Sequence, residues 1–343
     1  MVVSAGIPLI DINSADHAAI GRQLVDAAEE HGFIYIRNLG KDITPEQVDQ
    51  AFDISRKFFD VNVEEKQKCA ITTQNRGWSR MGGETLDPKN QRVGDFKEAF
   101  NVGPFKDHKL QQPLPASMAS DEAKIEEIRE ACNKLCLKLL LLLGEGLGIG
   151  DFFSSAHIVT EDDAAASILR LLRYPPPDAT AHSEADVRAG AHSDYGSITL
   201  LFRLKGQAGL EVQLRDDTWA PVPVCPPGTE DDPSPPILIN IGDMLSYWTN
   251  GLFRSTVHRV VFGNNNIDGE ESTQPRYSIA FFSHPAGSTE LGVVPSERVK
   301  NFVPRGQSSN PFAEKKVMTA DEHLHMRLAA TYGDLYKKKE QAA

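Results

Sequence analysis

The chain has 343 residues, 40% of them hydrophobic and 24% charged, which is ample apolar material for a core. Its formal charge of −12, from 48 acidic against 36 basic side chains, argues against a nucleic-acid backbone or an anionic membrane surface as a partner. The length fits one large domain or two small ones.

The opening MVVSAGIPLIDI has no basic start and no long apolar run, so no secretory signal is expected there. Residues 7–12 read as a short strand opened by Pro8. Asn13 or Ser14 can cap a helix with Ile20, Leu24, Ala27 and Ala28 at helical spacing, and Gly32 ends it. Residues 33–36, all aromatic or β-branched, form a strand. Thr44-Pro45-Glu46-Gln47 is a helix start, with a Thr cap, Pro at the first position and Gln where a capping box needs it. That helix turns Val48, Phe52, Ile54, Phe58 and Phe59 toward a core.

Between 75 and 115, Gly, Pro and charged residues alternate with isolated aromatics, and a lid-like loop region is expected. Ser120 precedes a long amphipathic helix reaching about Leu147. Its most apolar run, 135–143, contains Lys138 and is far shorter than the roughly 20 residues of a membrane span. The following GEGLGIG ends a helix, whereas a dinucleotide fingerprint follows a strand and opens one. From 167 onward short strands take over, at 167–174, 197–202, 210–214, 220–224, 237–241, 258–262 and 276–282. The loop 226–236 is acidic and proline-rich, and a closing helix around 319–332 precedes a basic tail. Strands without intervening helices indicate a sandwich, jelly roll or barrel. The fold class is therefore α+β, a mainly β core with helical support. Four segments are expected: 1–120 with lid-like loops, 121–165 with the long helix, the β core at 166–290, and a helical segment and tail at 291–343.

Three residues stand out as metal-ligand candidates. His192 and Asp194 are separated by one residue, so on an extended chain both side chains point the same way. His258 opens another strand 64 residues after Asp194, far enough for the chain to return across a β core. Two imidazoles and a carboxylate on one face of an octahedron leave positions open, as in non-haem Fe(II) oxygenases, although zinc also accepts such ligands. Arg276 and Ser278 share a strand face, and a guanidinium beside a hydroxyl is a receptor for a carboxylate.

The stretches HSDYGSITLLF, NGLFRSTVHRVV and RYSIAFF resemble the iron(II)- and 2-oxoglutarate-dependent dioxygenase superfamily, in the isopenicillin N synthase-like branch. The N-terminal IPLIDI, EHGFIYIRNLG and SRKFFD resemble the same branch, and ILRLLRYPP is similar to fungal members such as the thymine 7-hydroxylases. The resemblance implies a double-stranded β-helix flanked by N- and C-terminal helices. It implies His192, Asp194 and His258 as iron ligands and Arg276, Ser278 and Tyr174 as the 2-oxoglutarate site. Leu172 departs from many plant members, which carry Asn there. The implied activity is oxidation of a C–H bond of a small organic molecule, with Fe(II), 2-oxoglutarate and O2, releasing succinate and CO2. Hydroxylation, desaturation and ring formation stay open. The alternatives are an Fe(II) oxidase of the same fold that uses no 2-oxoglutarate, and a binding protein with a vestigial triad.

Phe282 shares the face of Arg276 and Ser278 and is a candidate for substrate contact, as are Trp78, Arg80 and Phe100 of the lid-like region. His157, His182, His323 and His325 read as solvated, Asp243 as a turn residue, and Trp219 and Trp248 as core. Cys132 and Cys136, at helical spacing, read as a buried pair rather than a zinc site. A cytoplasmic protein, monomeric or weakly self-associating, is expected.

Overall fold

The computed structural model describes residues 4–91, 93–159, 166–176, 188–261, 274–305, 307, 309–310 and 316–331. The N-terminal half alternates β1 (Leu9–Ile10), α1 (His17–Glu30), β2 (Phe33–Ile36), α2 (Pro45–Asp60), α3 (Val63–Gln67), β3 (Gly77–Ser79) and β4 (Glu98–Val102). A small hairpin follows, β5 (Phe105–Lys106) and β6 (Lys109–Leu110), then a 3-10 turn, α4 (Glu122–Gly146) and α5 (Phe152–Ala156). The capping box of α2 forms as expected, with Thr44 Oγ1 accepting from the Gln47 N–H and Gln47 Oε1 accepting from the Thr44 N–H. The cap of α1 is neither Asn13 nor Ser14 but Asp16, whose carboxylate accepts from the Ala19 N–H at 2.9 Å.

The second half supplies β7 (Ile168–Tyr174), β8 (Ala189–His192), β9 (Ile198–Arg203), β10 (Leu210–Gln213), β11 (Trp219–Pro221) and β12 (Ile237–Ile241). After these come α6 (Asp243–Trp248), β13 (His258–Val260), β14 (Arg276–Ser283), α7 (Glu297–Lys300) and α8 (Ala320–Thr331). Among the described residues, eight strands form one sheet in the order β1-β2-β12-β9-β14-β7-β4-β3, and four form a second, β11-β10-β13-β8. The two sheets face each other as a jelly roll, in the α+β class expected. Two features depart from expectation. The lid-like region contributes β3 and β4, which extend the large sheet beyond β7, and β8 is a strand where none was anticipated. Phe262, Tyr332, His182 and the basic tail lie outside the described residues.

Alternation along β14 shows how the layers are built. Tyr277, Ile279 and Phe281 turn outward into the core shared with α2 and α4, while Ala280 and Phe282 turn inward toward the small sheet. Helix α4 lays Leu135, Leu139, Leu142 and Leu143 on that outer face. Truncating a wholly buried member such as Leu139 or Phe281 would cost about 2–5 kcal/mol. Helices thus cover one face of the large sheet and leave the other to enclose a cavity. No helix of the described residues is long and apolar enough to cross a membrane.

Candidate active site

Pairing of β8 with β13 sets His192 directly across from His258, and their ring centres are 4.4 Å apart. Each ring is oriented by a backbone carbonyl two residues upstream. His192 Nδ1 lies 2.7 Å from Gly190 O, and His258 Nδ1 lies 3.1 Å from Thr256 O. A carbonyl can only accept, so Nδ1 is the donor in both rings and Nε2 is the nitrogen turned toward Asp194 Oδ1. Asp194 follows β8 in the turn to β9. Its Oδ2 accepts from Thr199 Oγ1 and Asn240 Nδ2, both at 2.7 Å. Its Oδ1 faces the two imidazoles, 3.9 Å from His192 Nε2 and 3.8 Å from His258 Nε2.

Those gaps leave room for one ion at about 2.1 Å from each atom. The three side chains are the group among the described residues that could hold a metal, with ligand atoms all within 4.8 Å of one another. The donor set, two neutral nitrogens and one anionic oxygen, suits a divalent ion such as Fe(II). Burial pushes His192 down to about 4, helped by the neighbouring His258 and Lys97 and opposed by Asp194. Burial alone would raise the Asp194 carboxyl, but His258, His192 and the bonds from Asn240 and Thr199 outweigh it and hold it below its usual value. His192 and Asp194 are thus held in the protonation states that bind a cation. Gly242 lets the loop pack: a Cβ there would fall 2.2 Å from Gly196 O and 3.1 Å from Asp194 O.

On the facing wall Arg276 stands opposite Tyr174, its guanidinium carbon 4.8 Å from the centre of the Tyr174 ring. Arg276 Nε donates to Ala208 O at 2.9 Å and Gln207 O at 3.2 Å. Its Nη1 is buried and has no hydrogen-bond partner among the described residues, and no acidic side chain there pairs with it. Burial pulls its pKa below the ordinary arginine value. A buried cation in this state is a receptor for an anion, and Ser278 lies alongside on the same face, 2% exposed.

One cavity joins these parts. His192, Asp194, His258, Arg276, Ser278, Tyr174 and Phe282 all line it. Trp78, Arg80 and Phe100, the residues of the lid-like region expected to contact substrate, are not among its lining. In β4, Phe100 faces outward and stacks on Phe58 with ring centres 4.0 Å apart. The Trp78 indole donates to Glu98 Oε2 at 2.9 Å, and Arg80 is exposed. Position parity favours Lys97 instead, which lines the cavity together with Glu84 and Arg170. Arg170 Nη2 donates to both Glu84 oxygens at 2.6 Å, Lys97 Nζ is 3.3 Å from Glu84 Oε2, and Lys97 also pairs with Asp95. Burial would raise Glu84, but Arg170 and Lys97 bring it down to about 2.

Sequence reasoning also missed Thr199 and Asn240. Asn240 was legible as the polar break in the apolar strand ILINI, and Thr199 as an inward position on β9. Two histidines expected to be solvated are buried. His157 bonds Phe153 O and Ser197 Oγ, and His323 packs 5.5 Å from the Tyr247 ring while His325 stays exposed. Asp243 opens α6 and takes part in a network described below. Cys132 and Cys136 are wholly buried, and burial pushes the Cys132 thiol up to about 12, the state of an inert core thiol.

Two family models match the chain. One, the non-haem dioxygenase in morphine synthesis N-terminal region, covers residues 7–119, and the other, the 2OG-Fe(II) oxygenase superfamily, covers residues 166–285. The UPF0676 protein C1494.01 of Schizosaccharomyces pombe is 36% identical over 96% of this chain and 94% of its own length. The 2-oxoglutarate-dependent dioxygenase frbA of Dothideomycetidae sp. is 30% identical over 90% of each chain. Among solved structures, a full-length Neurospora crassa protein crystallised in complex with alpha-KG superposes with a TM-score of 0.75 at 27% identity, over 94% of this chain and 96% of that one. Joined to a His-Asp-His cluster lining the cavity of a jelly roll, these matches identify the chain as a member of the 2OG-Fe(II) oxygenase superfamily, a 2-oxoglutarate-dependent dioxygenase.

Proposed function

We propose that His192, Asp194 and His258 hold the iron, and that Arg276, Ser278 and Tyr174 take the far carboxylate of 2-oxoglutarate. Loaded in this way, the site supplies oxidation of a C–H bond of a small organic molecule, with O2 consumed and succinate and CO2 released. The observation that carries the assignment is the buried Arg276 Nη1, without a hydrogen-bond partner among the described residues, on the wall opposite the three ligand atoms. Arg276 fixes the cosubstrate's orientation through its planar fork, and Tyr174 and Ser278 limit where the carboxylate can sit. Asn240 and Thr199 keep one Asp194 oxygen occupied, so the other is the one presented. Phe282, Leu324 and Leu328 give the cavity an apolar wall, and Glu84 and Arg170 give it a polar one. The substrate that fits has an apolar reacting part and a polar end. The buried thiols suit a reducing compartment, and we place the protein in the cytoplasm, without a nucleic-acid partner, as a monomer or weak homo-oligomer.

The test is an anaerobic titration with Fe(II) and 2-oxoglutarate watched by visible absorbance. A weak charge-transfer band that needs both additives and vanishes in Asp194→Ala is expected. Fe(II) binding that is unchanged in Asp194→Ala would overturn the ligand assignment.

A further inference from the structure

Asp243 is bonded more heavily than a turn residue requires. Its N–H donates to Asp194 O at 2.7 Å. Its Oδ2 accepts from Ser193 Oγ at 2.9 Å, and its Oδ1 accepts from Ser255 Oγ at 2.7 Å. Ser193 stands between His192 and Asp194, and Ser255 lies three residues before His258. One carboxylate therefore spans both segments that carry the candidate iron ligands. The same Oδ2 pairs with Arg327 Nη2 at 2.5 Å, and that nitrogen also donates to Ser193 Oγ at 3.3 Å. The Arg327 guanidinium carbon sits 5.2 Å from the centre of the Tyr195 ring.

Arg327 belongs to α8, which brings Leu324 and Leu328 to the cavity wall while Asp321, Glu322, His325, Met326 and Ala329 are exposed. The first turn of α8 is held by backbone bonds, from the Ala320 N–H to Thr289 O and from the Asp321 N–H to Gly287 O. Beyond that turn, Arg327 is a polar attachment of α8 to the ligand segments, beside His323, which also faces the Asp243 charge. We propose that Asp243 and Arg327 are positioning residues that fasten the C-terminal helix to the metal-ligand loops, so that loading the metal and closing the cavity over it are coupled. The proposal rests on the iron-ligand assignment above. It goes beyond that assignment by giving α8 a share in metal affinity and Leu324 and Leu328 a place in the closed pocket. Coupling of this kind is reciprocal. If docking of α8 steadies the loop between His192 and Asp194, metal binding must tighten the docking of α8 by the same factor.

Hydrogen exchange of peptides from α8, measured anaerobically with and without Fe(II) and 2-oxoglutarate, reads one side of the coupling. Fe(II) affinity from the charge-transfer band reads the other. In the wild-type protein, exchange in α8 should slow several-fold on loading. Arg327→Met should abolish that slowing and weaken Fe(II) binding about three- to tenfold, and Arg327→Lys should recover part of both. Asp243→Asn keeps the shape but loses the charge and puts an amide donor against other donors. It should weaken Fe(II) binding more than Arg327→Met does, with circular dichroism confirming that both variants fold. Exchange in α8 that ignores loading in the wild-type protein, or Fe(II) binding by Arg327→Met equal to wild type, would overturn the coupling. Absence of the charge-transfer band from the wild-type protein would overturn the ligand assignment instead, and the proposal with it.

Discussion

Arg276 is where a single residue says most about the chemistry. It carries a full charge to a position 4% exposed, is met there by two carbonyls and a tyrosine ring, and leaves Nη1 unanswered among the described residues. Such a group is a liability to folding, since a buried charge lacking its counter-ion costs several kcal/mol. The prediction separates function from structure by sign. Arg276→Met should weaken 2-oxoglutarate binding about 100-fold, corresponding to roughly 3 kcal/mol for a charge-assisted contact, while the melting temperature stays level or rises. A structural arginine would do the reverse, and a fall in melting temperature with unchanged 2-oxoglutarate affinity would sink the assignment. Asn240 and Thr199 make a second case. With Asn240→Leu and Thr199→Val combined, Asp194 Oδ2 loses both donors and the carboxylate is free to turn. Fe(II) affinity should drop about 10- to 100-fold, the usual range for removing partners of a metal ligand, as titration of the charge-transfer band would report.

Elements place these residues by register, and register is what sequence conveys best in the β half. Strands at β2 and β12 were legible residue for residue because each is a short apolar run between turn signals. The inward set Arg276, Ser278 and Phe282 followed from alternation alone. Legibility failed where a strand owes its existence to a partner. Strand β8, Ala-Gly-Ala-His, has little intrinsic β preference and forms because β13 lies beside it. Strands β3 and β4 are hidden among glycines and charges, so the aromatic side chains drew attention while parity turned Lys97 inward and Phe100 outward. No pattern along the chain shows that Glu84 will meet Arg170. Helix packing offers its own test. Where α1 crosses α4, a Cβ on Gly146 would lie 2.2 Å from Gly21 O and 2.5 Å from Gly21 C. Ala at that helical position gains about 1 kcal/mol of propensity, yet crowding against backbone costs up to about 3 kcal/mol. Gly146→Ala should therefore lower the unfolding midpoint in urea, and a raised midpoint would mean that α1 and α4 do not cross so closely.

The whole molecule buries several titratable side chains, and this sets how it should respond to acid. Burial is the first cause that pushes His157, His284 and His323 each down to about 4. The unfolded chain takes up protons on these rings near the ordinary histidine value, about 6.5, before the folded one does. Stability from this source is fully present above that value and is lost as the pH falls from about 6.5 to about 4. His157 alone accounts for a loss on the order of 3 kcal/mol, which is a large share of a typical domain's 5–15 kcal/mol. Glu84, held down to about 2, adds a second decline that begins at the ordinary glutamate value, 4.5, and continues toward pH 2. Urea unfolding of the metal-free protein should give a midpoint that is flat from pH 7 to 9, falls steadily below 6.5, and falls again below 4.5. His157→Gln, which can still donate to Phe153 O and accept from Ser197 Oγ, should make the first decline shallower by its own share, keep the shares of His284 and His323, and leave the second decline untouched. A midpoint unchanged down to pH 4.5 in the wild-type protein would mean that these rings are hydrated and charged in the folded state, and that the packing between α5 and Ser197 is looser than these hydrogen bonds imply.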